Sequence, residues 1–231
     1  MSQSTDPGPL PVLDRADVES VLVTVLVTKE PEHQAALAET VTFFWNKADR
    51  PDELLSVTCY TSTDGRSVLT YAQWSSDAAL RAWLDGGSGA GSTVLPDIRP
   101  DVEVTGPTPY RLTQVVRGSA VTDPDVVPTC FPVAFFEMPD ADEARKWIDN
   151  LLEAEGETGG RARSYPGGIA ANIHLSVEGT SVMIFSEWVS EKYFADHLSE
   201  VIEPVLDEVG DRGTDAAPTY RHHRSPVRPR G

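Results

Sequence analysis

The chain has 231 residues, 40% of them hydrophobic and 24% charged, with a formal net charge of −17 and a sequence pI near 4.5. So acidic a surface repels phosphate backbones and anionic lipid, which argues against nucleic acid and against a membrane surface as partner. No apolar run reaches the roughly 18–20 residues that span a bilayer. Cys59 and Cys130 make neither a disulfide framework nor a CxxC pair, and the Pro-rich start from Met1 to Pro11 lacks the layout of a signal peptide. A cytoplasmic setting is expected. The only basic run, Arg221 to Arg230, is short and interrupted by proline.

In chain order, a flexible tail over residues 1–19 leads into an apolar strand, Val21 to Thr28. Pro31 suits a helix start, and Leu37, Val41, Phe44 and Ala48 mark the apolar stripe of that helix. A hairpin follows: strand Leu55 to Thr61, a turn at Asp64-Gly65, strand Ser67 to Trp74. An acidic residue followed by Gly is a strong hairpin signal, since Gly accepts the positive φ that matches strand twist. Ser75 is available to cap a second helix, Gly86 to Ser92 reads as a flexible loop, and a strand runs from Tyr110 to Arg117. Residues Gly118 to Pro128, rich in Pro and Asp, read as a linker.

The same order then returns. Strand Phe131 to Met138 precedes a helix that Asp140 can cap, with Glu143 three residues on and Ala144, Ile148, Leu151 and Leu152 as its stripe. Pro166-Gly167-Gly168 leads into strand Gly168 to Val177, which turns at Glu178-Gly179 into strand Ser181 to Trp188. Ser190 can cap a helix whose apolar face is Phe194, Leu198, Val201, Ile202 and Val205, and a last strand covers Tyr220 to Arg224. The hairpin of one copy lies over that of the other without a gap, Trp74 on Trp188, at an offset of 114 residues. Pro109-Tyr110-Arg111 is echoed by Thr219-Tyr220-Arg221.

The chain is therefore a tandem repeat: 20–118 and 130–226, joined by 119–129 and followed by a tail, 227–231. Each copy reads β-α-β-β-α-β, which is ferredoxin-like and of the α+β class. One such module leaves a sheet face bare. Two on one chain cover each other as an intramolecular dimeric α/β barrel, which also disposes of the edge strands. A small ligand would then sit between helices and sheet.

The two copies, the Pro166-Gly167-Gly168 lead-in, the acidic-Gly hairpins, and the strands ending in Gln73-Trp74 and Glu187-Trp188 resemble the antibiotic biosynthesis monooxygenase family over nearly the whole chain. The tandem form is similar to anthrone oxygenases and angucycline ring-opening oxygenases of aromatic polyketide pathways. The resemblance implies an oxygenase that uses O2 to turn a polycyclic phenol or anthrone into a quinone, or to open a ring. It implies no metal and no tightly bound cofactor; the ring-opening members take reduced flavin (FADH2) as a diffusible co-substrate from a flavin reductase. A homodimer of such pseudo-dimeric chains is compatible with it. Cofactor-free members of the family place an Asn four residues before the Trp, where this chain has Thr70 and Ile184.

Strand alternation puts Asn172 and His174 on one face, with Thr58 and Tyr60 at the matching positions of the first copy. His174 could remove a phenolic proton and Asn172 could bond the developing oxyanion, with Trp188 completing the catalytic set. Trp74, Tyr60, Thr70, Phe194 and Arg221 are the expected substrate contacts. The bland alternatives are a solvent-facing Asn172–His174 pair, Trp residues that plug the core, and solvated or acid-paired Arg111 and Arg221. His197 lies nine residues past Trp188, near where haem-degrading relatives of this fold carry an iron ligand; alternatively it edges the apolar stripe, since the first copy has Trp83 there. His222 and His223 are adjacent on a strand and cannot clamp one metal. Three readings stand: a polyketide-tailoring oxygenase with its chemistry in the second copy, a haem-binding or haem-degrading protein, and a non-catalytic ligand-binding barrel.

Overall fold

A computed structural model describes residues 8–48, 50–86, 102–122, 125–158, 165–202 and 218–227. By backbone contacts the chain divides into two compact units, one of residues up to Arg111 together with those from Arg221 onward, the other from Leu112 to Tyr220.

The first unit begins with β1 (Ser20–Thr28), a short 3-10 turn (Pro31–His33) and α1 (Gln34–Lys47). The hairpin is β2 (Leu54–Ser62) and β3 (Ser67–Trp74), followed by α2 (Asp77–Asp85). β1 pairs antiparallel with β3 (Ser20 opposite Trp74) and with the start of β4 (Val21 opposite Tyr110). β4 spans Val102–Arg117, so the strand begins eight residues before the Tyr110 start expected from apolar character. β-branched residues lie in that earlier stretch, and Val102 is buried while Val104 packs on the core. Val57, Cys59, Val68, Ala72 and Trp74 face α1 and α2, where they meet Leu37, Ala38, Val41, Trp45, Leu80 and Trp83. Trp45 takes the place in the α1 stripe expected of Phe44, which is only partly buried; Ala48 lies just past the helix end.

The second unit holds the rest of β4, a 3-10 turn (Ser119–Thr122) inside the expected linker, β5 (Phe131–Glu137) and α3 (Ala141–Thr158). After these come β6 (Gly168–Ser176), β7 (Ser181–Trp188), α4 (Glu191–His197), a π-helical turn (Leu198–Ile202) and the start of β8 (Thr219–Val227). β7 lies between β5 (Val133 opposite Phe185) and β6 (His174 opposite Met183), and β5 meets β8 at Phe131 and Tyr220. Ile173, Leu175 and Val182 face α3, with Ala144 and Ile148 packed on them and Phe136 tilted 4.6 Å from Trp147. The Asp140 cap forms as expected: its Oδ1 accepts from Asp142 and Glu143 N–H, both at 2.9 Å.

Both hairpins turn on a glycine with positive φ, +80° at Gly65 and +78° at Gly179. Tyr60 opposite Leu69 and His174 opposite Met183 carry the same 114-residue offset as the sequence repeat. The cap of α2 is a correction: Ser76, not Ser75, accepts from Ala79 N–H, and Ser76 is the residue that lies 114 before Ser190. Among the described residues the hydrogen-bonded order of the eight strands is β1-β3-β2-β8-β5-β7-β6-β4, and the α+β class and tandem ferredoxin-like repeats expected from the sequence are those observed. Of the expected loop Gly86 to Ser92, only Gly86 falls within the described residues, and Val205 lies outside them. No helix among the described residues is long and apolar enough to cross a membrane.

Candidate functional site

Along β7, Val182 and Ile184 point toward the helices, so alternation carries Trp188 to that face as well. α4 starts directly after it, with Ser190 Oγ accepting from Tyr193 N–H at 3.5 Å. Phe194 and His197, three apart on one side of that helix, both reach the indole. Phe194 meets Trp188 edge-on at 5.7 Å between ring centroids, and His197 lies tilted over it at 5.0 Å. Tyr165 stands edge-on to His197 at 4.4 Å. The helix then loosens into the π-helical turn, a rare form that recurs at functional sites. Burial pushes the His197 imidazole down to about 4, so at neutral pH it is uncharged.

Gly167 makes this corner close. Its φ is +78°, and a Cβ there would stand 2.4 Å from the Tyr193 ring. No other residue type fits both demands.

The first copy uses the same positions differently. Trp74 packs at 5.4 Å on Trp83, which stacks at 5.5 Å on Trp45, and Leu80 stands where the second copy has Phe194. All four are buried. Here the chain's own side chains fill the space between sheet and helices. Thr70 shares that face with Trp74 and is buried too.

Asn172 and His174 do share a face, as expected, but neither meets solvent: both are at most 1% exposed. Their face is the one turned away from α3, because the intervening Ile173 packs toward the helix. Asn172 Nδ2 donates to Phe185 O at 3.1 Å and to Glu187 Oε2 at 3.3 Å, while its Oδ1 has no partner among the described residues. His174 Nδ1 lies 2.9 Å from the Asn172 carbonyl oxygen and donates to it, and burial pushes the imidazole down to about 4. Trp188 is on the opposite face. The sheet therefore divides the set of His174, Asn172 and Trp188, and one small molecule against Trp188 does not touch the other two.

Tyr60 and Thr58 occupy the corresponding face of the first copy, again buried. Thr58 Oγ1 lies 3.4 Å from Ser225 Oγ, which donates to Pro9 O at 2.8 Å and lies 3.1 Å from His222 Nε2. Tyr60 stands edge-on to His222 at 6.1 Å. Arg221 lies exposed at the start of β8, and Arg111 is paired with Asp77, the acid-paired alternative. His222 and His223 diverge as expected, His223 toward Glu39 at 3.5 Å. Among the described residues no group of three His, Cys, Asp or Glu could hold a metal ion. Burial lifts the Cys59 thiol to about 12, which leaves it inert as a nucleophile.

Tyr165 and Trp45 are the residues that sequence reasoning misses. Tyr165 directly precedes the Pro-Gly-Gly turn, and an aromatic before a forced corner is the signal that could have found it.

No family model and no curated protein matches the chain. Solved structures do. An anthrone oxidase-like protein superposes with a TM-score of 0.66 at 19% identity, covering 91% of this chain and 93% of its own. A Fusobacterium nucleatum protein named provisionally as a monooxygenase gives 0.54 at 7% identity, covering 93% and 96%. A variant of chlorite dismutase from Candidatus Nitrospira defluvii gives 0.52 at 10% identity, covering 90% and 92%. At such identities the likeness establishes the fold alone, the ferredoxin-like α+β fold described above.

Proposed function

We propose that the chain is an oxygenase of the antibiotic biosynthesis monooxygenase type, acting with O2 on an electron-rich polycyclic phenol or anthrone of aromatic polyketide origin. The observation that carries this reading is the aromatic cluster of the second copy, where Trp188, Phe194 and His197 converge at 5.0–5.7 Å on the helix side of the sheet. In the first copy the same place holds a tryptophan stack, with the larger indole of Trp83 at the position of the His197 imidazole. Flat ring surfaces stack well on such groups. The anthrone oxidase-like neighbour supports the substrate class.

For an anthrone the balance needs nothing beyond O2. The ring CH2 becomes C=O, the second oxygen atom leaves as water, and all four electrons come from the substrate. A phenol that must gain a hydroxyl needs two further electrons, and reduced flavin delivered by a reductase is the co-substrate that fits.

The test is to incubate the full chain with an anthrone and O2, with and without reduced flavin, following oxygen uptake and quinone absorbance. Turnover that Trp188→Ala lowers by about tenfold or more is expected, from loss of the stacking surface. No quinone in either arm would sink the proposal. A second reading, haem binding, is favoured by the neutral, half-buried His197 imidazole, since a metal ligand must be unprotonated. It requires a Soret band on adding hemin that His197→Ala abolishes.

A further inference from the structure

An aromatic slot recognises a flat ring but says little about what the ring carries. In the second copy the ring surfaces are Trp188, Phe194 and Tyr165, and the imidazole among them is His197, 5.0 Å from Trp188 and 4.4 Å from Tyr165. His197 is half-buried and forms no hydrogen bond among the described residues. A neutral imidazole presents one bare nitrogen that can only accept. The same repeat position of the first copy holds Trp83, whose indole can only donate and whose Nε1 is buried without a partner among the described residues. The two copies thus offer opposite hydrogen-bonding polarity at one place.

We propose that His197 is the specificity-determining group of the second-copy slot: its bare nitrogen accepts a hydrogen bond from a ring hydroxyl, so the slot takes hydroxylated polycyclic aromatics in preference to their methyl ethers. A hydroxyl carried into an aromatic slot costs free energy unless it finds an acceptor, and His197 supplies one beside the Trp188 surface. An ether has no proton to give. This rests on the proposed ligand site at Trp188, but not on the oxidation.

The experiment measures binding of 2,6-dihydroxynaphthalene and 2,6-dimethoxynaphthalene to the full chain by titration calorimetry, without O2. The diol should bind about three- to tenfold more tightly, the worth of one net hydrogen bond. His197→Ala should bring the ratio to about one, and His197→Gln, which keeps an acceptor, should restore part of it. Near-ultraviolet circular dichroism checks that each variant keeps its packing. An undiminished ratio in folded His197→Ala, equal binding of both compounds to the unaltered chain, or no binding of either overturns the proposal. Selective binding without oxygen uptake on any anthrone removes the oxygenase reading and leaves this one standing. Turnover that is indifferent to hydroxyl groups and to His197→Ala does the reverse.

Discussion

His174 Nδ1 donates to the carbonyl oxygen of Asn172, two residues back on the same strand, at 2.9 Å. The ring lies in a fully buried site, and burial lowers its protonation to about 4. The unfolded chain binds that proton near 6.5, so between about 6.5 and 4 the unfolded state holds more protons than the folded one. Stability contributed at neutral pH is thus lost as pH falls through that window. Between pH 7 and pH 5 the loss should be about 2 kcal/mol. Urea unfolding of the unaltered chain and of His174→Leu at both pH values checks it: the variant should lose about that much less on acidification.

Trp83 and Trp188 should answer mutation in different ways. Trp83 is sandwiched between Trp45 and Trp74 and belongs to the core of the first unit. Trp83→Phe should lower stability by about 1–2 kcal/mol while turnover of the folded protein stays within about twofold. Trp188→Phe should do the converse, raising KM severalfold with a smaller stability change. Paired melts and steady-state kinetics on the two variants decide it, and a Trp83 variant that loses turnover at full folding would move the site to the first copy.

At Gly167 strain and crowding act together. Gly167→Ala forces a left-handed backbone on a residue with a Cβ and drives that Cβ to 2.4 Å from the Tyr193 ring. The cost should be about 2 kcal/mol or more. Because Tyr193 belongs to α4, the clash also shifts Phe194 and His197 away from Trp188. The double variant Gly167→Ala, Tyr193→Ala should recover part of the stability, leaving the backbone component.

The α2 cap gives a cleaner contrast. Ser76→Ala removes the side-chain acceptor for Ala79 N–H and should cost about 1 kcal/mol, whereas Ser75→Ala should cost less than about 0.5 kcal/mol. Thermal unfolding of the two single variants distinguishes them.

Much of this architecture is legible in the sequence because a repeat tests each element twice. The acidic-Gly turns set both hairpin registers, and the 114-residue offset points to Ser76 as the cap once Ser190 is recognised. The same register separates the candidate catalytic residues. A turn that sets His174 opposite Met183 puts both on one face and Trp188, five residues past Met183, on the other. Sequence alone does not say that the Asn172–His174 face is buried, because alternation tells which residues share a face and not what covers it. Tyr165 is illegible for another reason: it lies outside any periodic element, and only the corner at Gly167 brings it to His197.

The split of β8 between the two compact units has a consequence for synthesis. The first unit needs Val227 in its hydrophobic cluster and Ser225 to meet Pro9 and Thr58, yet both are made at the far end of the chain. At about 5–20 residues per second, a ribosome reaches them roughly 5–20 s after Arg111. For that interval the first unit lacks part of its core, with strand β2 already made and its later neighbour still to come. The nascent chain is therefore open to holding chaperones well after its first half has emerged. A ribosome-bound 1–118 segment should be cut by protease far faster than the released chain, and supplying residues 219–227 in trans should slow that cutting.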